Sequence, residues 1–320
     1  NARPYVIYGY AAVPANKTPR LEAGARIHFH DNSGLIIDRG ATLLVQGTQE
    51  EKVVFEGDRL ENTFSNIPGQ WGTIWMRAGS IANEMNFAQI KNGIIGILTD
   101  SIATSSPSLT MRNTEIFNHS NFGVLARESS IVGENVVIGN AGGASFAGVV
   151  GGSYDFTHST FANYWNNGIR ALPTVLMNNF FTRMDGNGQE IVETRDLTKA
   201  NFTNCLIDGN NNIEFVPDKI AGSAFNFKLT NTMFRFEDLN NTFDGVPEVD
   251  FTDINFYENI VVNGFSNFRN TAANDFIIGP NSDAIGKGNQ AAANQVPTDI
   301  LGVLRTTTPD LGAYQHIIFD

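Results

Sequence analysis

The sequence predicts an all-β fold wound as a solenoid, and three observations predict it. Short apolar strands of three to six residues end repeatedly in Gly, Asn or Asp, the residues that tolerate positive φ at sharp corners. No window carries apolar residues at helical spacing for more than about two turns. A strand–corner–strand unit recurs with a period of about 20–27 residues, which without a helix in each period means a β-solenoid. Leu109 to Ala126 shows the unit: Leu109, Met111 and Ile116 are apolar strand positions, Asn118 to Asn121 form a polar corner, and Gly123-Val124-Leu125-Ala126 opens the next strand.

Taken in order, residues 1–20 carry Pro4, Pro14 and Pro19 with Tyr5, Tyr8 and Tyr10, and are expected to cap the first rung. Regular strands follow from Leu21 through Phe55. Residues 59–70, with Pro68-Gly69, are too long for a corner and are expected to protrude as a loop. Aligning Ile90, Ile116, Val137, Phe161, Leu206, Met233 and Ile254 gives steps of 26, 21, 24, 45, 27 and 21. The step of 45 reads as two rungs, with the skipped one near Leu176 to Phe181. Asn118, Asn140, Asn163 and Asn210 fall at matching corners, so an asparagine ladder is expected to bond along the stack. Residues 183–200 break the rhythm as a second loop, and 281–320 are expected to cap the far end. Nothing marks a second domain, so residues 1–320 read as one solenoid of about 10–12 rungs.

Composition narrows the functions. Hydrophobic residues make up 42% of the chain and charged residues 17%, enough apolar material for a large core. The net charge of −12, with no Lys/Arg cluster, argues against nucleic-acid binding and against docking on anionic membranes. No apolar run approaches the ~18 residues of a membrane span. The single cysteine, Cys205, reads as a small buried hydrophobe. The chain begins at Asn1, and the expectation is a processed precursor or trimmed chain, anchored, if at all, through an upstream lipidated Cys.

The repeat resembles the right-handed parallel β-helix of pectate-lyase-like proteins. Asn281-Ser282-Asp283-Ala284-Ile285-Gly286-Lys287-Gly288 and Pro309-Asp310-Leu311-Gly312-Ala313-Tyr314-Gln315 look like the "SPAIDAG … DIGAYE" ending of bacterial secreted β-helix proteins. With Phe55-Glu56-Gly57-Asp58-Arg59-Leu60 and Ile67-Pro68-Gly69-Gln70-Trp71-Gly72, the chain looks like uncharacterised Bacteroidota surface lipoproteins. The resemblance implies a right-handed parallel β-helix at the cell exterior. It implies no single activity, since the fold serves lyases, hydrolases and adhesins alike.

No catalytic signature stands out. Lyases of this fold use a Lys or Arg base, often with Ca²⁺; glycosidases need paired carboxylates. Neither pattern appears as a motif, so no cofactor is expected, with Ca²⁺ entering only under a lyase reading. Charged residues follow the second strand of several rungs: Asp58-Arg59, Arg77, Asp100, Arg127-Glu128 and Arg170. Asp58, Arg59, Arg77, Asp100 and Arg127 are therefore the candidate site residues, either as a strip gripping an acidic sugar or as a solvated ion-pair ladder, the commoner outcome. Trp71, Trp75, Tyr164 and Trp165 are candidate sugar platforms, with one of the two strand tryptophans expected in the core. His28 and His30 share a strand face, without an evident third metal ligand. Asp100-Ser101-Ile102 resembles a Bacteroidota O-glycosylation signal.

The expected role is a non-catalytic secreted or outer-membrane-surface scaffold. It would bind a protein partner or a glycan through one flank, or serve as a subunit of an outer-membrane assembly. The alternative is a polysaccharide lyase or glycoside hydrolase working in a groove along the flank. An enzyme requires a cleft of convergent charged groups; a binding scaffold requires a broad exposed apolar or aromatic patch.

Overall fold

The computed structural model describes residues 3–100, 106–305 and 307–319. Among them 23 strands join one sheet by parallel pairings between successive turns, and the chain winds as a parallel β-helix with three faces. On the first face Tyr5, Ile27, Phe55, Ile90, Ile116, Ile138, Phe161, Ile207, Phe234 and Val262 stack in register, which gives ten turns. On the second face Leu35, Ile74, Ile97, Val124, Phe146, Val175 and Phe215 stack inward. On the third, Val45, Met85, Met111, Gly133, Phe156, Phe202 and Leu229 do so. Gly133 is needed in that column: a Cβ there would meet the Phe156 ring at 2.4 Å. The interior becomes aromatic towards the C-terminal turns, where the Phe156 and Phe202 rings stack with centroids 5.6 Å apart.

The register corrects the expected alignment by one residue at several turns. Val137, Leu206 and Met233 sit one position before the inward residues Ile138, Ile207 and Phe234. Because side chains alternate faces along a strand, they point outward. They are nonetheless buried, under residues 276–314: Val137 packs with Phe276, Ile300 and Tyr314, while Leu206 and Met233 pack with Ile278, Ala284 and Leu311. Residues 281–320 therefore do not cap the end of the solenoid as expected; where described, they lie along the first face. The C-terminal end is closed instead by Phe236, Phe243, Val249, Phe251 and Phe256. Ile254, expected in the core column, is 76% exposed, and Val261 and Val262 take its turn.

The step of 45 is one turn, not two. Phe161 pairs directly with Ile207, and Leu176 belongs to the second face of that same turn, beside Ala147 and Val216. The extra length goes into an excursion. Residues expected to form a loop at 183–200 instead contribute to an antiparallel hairpin, Phe180–Met184 with Glu190–Thr194, and to the strand Leu197–Thr203. Asp185 holds the hairpin tip by accepting from the Asn187 and Gln189 amides, both at 2.8 Å, which keeps its carboxyl below the usual range.

The asparagine ladder exists, but on the other corner. Between the third and first faces Phe87, Asn113, Asn135, His158, Asn204, Asn231 and Asn259 all adopt positive φ, between 46° and 54°. Asparagine accommodates this conformation better than most side chains. Asn135 Nδ2 donates to Asn113 Oδ1 at 3.0 Å, Asn113 Nδ2 donates to Asn86 Oδ1 at 3.1 Å, and Asn204 bonds His158 Nε2 at 2.9 Å. At four of these turns the next residue closes the corner from inside. The hydroxyls of Thr114, Ser159 and Thr232 donate to the carbonyls of Arg112, Thr157 and Thr230 at 2.8–3.2 Å. Cys205, fully buried as expected, occupies the same position, its thiol donating to Thr203 O at 3.4 Å. The expected members instead bond neighbouring excursions or backbone: Asn118 to Asn66, Asn140 to Thr271 O and Asn274, Asn163 to the Ala141 backbone, Asn210 to Trp165 O. Their corner is where the chain leaves for residues 59–70 and 164–174, so their amides do not meet along the stack.

His158 is the odd member of its ladder. It is buried with Nδ1 unpartnered, and burial, then the nearby Arg305 cation, lowers its pKa to about 3. Burial likewise lowers His119 to about 4. Between pH 6.5 and those values the unfolded chain binds protons that the folded chain refuses, so stability is intact above pH 6.5 and falls as pH drops. The denaturation midpoint is expected to be flat above pH 7 and to decline between pH 6.5 and 5. His158→Asn, the residue its ladder otherwise uses, should lessen that decline. An unchanged slope in the variant would refute the assignment.

Candidate functional site

The second face carries the most distinctive surface. Its outward column, Ile36, Trp75, Leu98, Leu125, Ala147, Leu176 and Val216, is apolar through seven consecutive turns. All but Ala147 are partly exposed. At the ~4.8 Å strand spacing the stripe is about 29 Å long. The alternation that sends Ile74 and Met76 inward sends Trp75 outward. Trp71 is the core tryptophan, stacked on Phe29 with centroids 4.3 Å apart.

Along the edge of the stripe runs an alternating ladder of charge. Arg77 pairs with Asp38 at 2.9 Å, and Arg127 with Asp100, its Nε donating at 2.7 Å. Asp100 also accepts from the Trp75 indole N–H at 2.7 Å, fixing the ring against the sheet. Three of the five sequence candidates, Arg77, Asp100 and Arg127, are thus brought together, each already committed to an ion pair. Exposed pairs of this kind stabilise by about 0–1 kcal/mol.

Asp58 and Arg59 lie elsewhere, at the corner between the first and second faces. Asp58 bonds His30 Nδ1 at 2.7 Å, and the Arg59 guanidinium lies 3.8 Å over the Phe64 ring. With the loop 59–70, which contains a 3-10 turn at Asn62–Phe64 and is held by Gln70, they border a cavity of about 410 Å³. His28 is buried beside Glu56 at 3.7 Å. Among the described residues no group of three or more His, Cys, Asp or Glu side chains is placed to hold a metal ion. Of Asp100-Ser101-Ile102, Ser101 and Ile102 lie outside the described residues.

Arg170 does not join the strip. Its side chain is buried and clamps Glu214 through two bonds of 2.8 and 2.5 Å, while Thr174 donates backbone and hydroxyl protons to the same carboxylate. This pair pins the 164–174 excursion to the solenoid.

One cluster escaped the sequence reading. Tyr164, Asp208, Arg235 and Glu237 line a cleft of about 300 Å³ on the first face, with Phe265 and Asn267. Asp208 is buried and accepts from Tyr164 Oη at 2.8 Å and Ser266 Oγ at 2.5 Å. Burial raises the pKa of its carboxyl. Burial and the Asp208 charge raise that of the Tyr164 phenol. Arg235 keeps a buried Nε without a partner. Asp208 and Arg235 follow inward strand residues by one, so the repeat places both outward; their convergence with Tyr164 depends on the 164–174 excursion.

The chain matches no known protein family and no curated protein.

The two arginine settings separate cleanly in energy. Arg127→Ala is expected to shift stability by at most about 1 kcal/mol. Arg170→Ala leaves Glu214 buried without its cation and should cost about 3–5 kcal/mol. Urea unfolding of both variants checks this, and equal effects would contradict the assignment.

Proposed function

We propose that the chain is a non-catalytic scaffold that docks a protein partner along its second face. The observation that carries this is the seven-turn apolar stripe, partly exposed at six positions and interrupted by the buried Ala147, because contiguous apolar surface marks interaction sites. Its aliphatic composition suits a protein surface better than sugar rings, which stack on aromatics and find only Trp75 here. The charges beside it are paired with one another, which favours a recognition rim over a free base. The parallel β-helix, together with the resemblance of its ending to that of secreted β-helix proteins, favours a secreted or outer-membrane-surface setting, with the partner a component of a surface assembly.

The test is a pull-down from outer membranes with the wild type and with Leu98→Glu/Leu125→Glu, followed by binding measurements on the recovered protein. The charged variant should bind at least tenfold more weakly while keeping its far-ultraviolet circular dichroism. Undiminished binding, or polysaccharide turnover abolished by Arg127→Ala, would sink the proposal.

A second reading, a carbohydrate-active enzyme, is favoured by one observation: Asp208, a buried carboxyl with raised pKa, shares a cleft with Glu237 and Arg235. Under this reading a panel of acidic and neutral polysaccharides yields turnover that Asp208→Asn and Glu237→Gln each reduce at least a hundredfold. Turnover unaffected by both variants would remove the cleft from consideration.

A further inference from the structure

The two ends of the solenoid are finished differently. At the C-terminal end Phe236, Phe251 and Phe256 close over the last aromatic turns. At the other end the strand Tyr5–Val13 does lie over Arg26–Ile37, as a covering strand should, but it pairs with nothing else. Its nine residues leave an edge with no second strand among the described residues. Behind that edge is a cavity of about 240 Å³ lined only by apolar residues, including Tyr5, Ile7, Val13, Leu21, Leu35 and Leu43. Tyr5 and Val6 are 56% and 50% exposed. A long unprotected edge beside open core is a template for strand addition.

The charge around this mouth is distinctive. Residues 3–30 contain Arg3, Lys17, Arg20 and Arg26 against a single acid, Glu22, in a chain whose net charge is −12. All four cations are exposed, and none is in an ion pair among the described residues.

We propose that this end is a strand-addition site for an extended polypeptide segment, apolar at alternate residues and acidic at its flanks, which docks parallel to Tyr5–Val13 as a further turn. Main-chain groups of the segment pair with the free edge, its alternate side chains fill the cavity, and its acids meet Arg3, Lys17 and Arg20. Parallel docking continues the side-chain columns that every other turn obeys. A second copy is a poor occupant. Head to head it opposes two basic rims, and its far end presents only the two-residue strands Tyr257–Glu258 and Val261–Val262 behind a phenylalanine seal.

The probe is a blocked ten-residue peptide copying residues 49–58, Gln-Glu-Glu-Lys-Val-Val-Phe-Glu-Gly-Asp, which has the required alternation and acids. Titrated calorimetrically into the chain, it should bind one to one. It should also protect amides of residues 5–13 from hydrogen exchange and weaken at least tenfold between low and high salt. A scrambled peptide, and one N-methylated at alternate amides, should bind at least tenfold more weakly; these peptide variants leave the protein's own folding untouched. Ile7→Asp should weaken binding similarly. Absent binding, or equal binding of the scrambled peptide, overturns the proposal. So does concentration-dependent self-association that excludes the peptide, because a second copy would then hold the site.

Discussion

Everything in this molecule depends on returning the chain to the same corner, in the same register, once per turn. The corner between the third and first faces meets that constraint with one residue in the left-handed region at each of seven turns, an Asn or His at six of them, and at four an inward Thr, Ser or Cys that bonds the carbonyl two residues back. Parallel strands gain their side-chain stacks only if that corner repeats. A slip of one residue would turn every inward side chain out to solvent. The price of so regular an interior is that variation is confined to excursions, and there the chain places its loop 59–70, its 164–174 segment and its hairpin.

The first face shows how the same constraint creates a second core. Outward positions at Val137, Ala162, Leu206 and Met233 are apolar, and the C-terminal segment lies along them. That segment also ties into the corner ladder: Asn135 donates to Thr298 O at 2.9 Å and accepts from Arg305 at 3.0 Å, and Asn231 donates to Lys287 O at 2.8 Å. The ladder side chains thus bond one another along the stack and satisfy backbone groups of the C-terminal segment across it. With the first face covered, the second keeps its apolar column partly exposed at all but Ala147, and the charge ladder beside it fixes Trp75 in place. The free surface of the solenoid follows from which face the chain's own C-terminal segment occupies.

Much of this was legible in the strand–corner–strand unit. The period, the all-β class, the buried Cys205 and the split of Trp71 and Trp75 between core and surface all follow from alternation and from where Asn and Gly recur. The register did not follow, because Val137-Ile138 and Leu206-Ile207 are apolar on both sides of the sheet, and a period of two cannot tell inside from outside when both are covered. The site was half legible. Arg77, Asp100 and Arg127 do share an edge, but Asp58 and Arg59 follow a first-face strand and Arg170 belongs to an excursion.

What the residues determined on their own is the winding: local turn chemistry and strand alternation act over a few residues, so repetition suffices to specify them. What the tertiary structure decided is which surfaces remain. Whether Asp208 is buried beside Tyr164 depends on contacts between residues far apart in the chain. So does the side of the first face that the C-terminal segment covers, and so does the closing of the last turns by Phe236, Phe251 and Phe256. Such contacts are set by packing between turns and excursions, which no local pattern encodes.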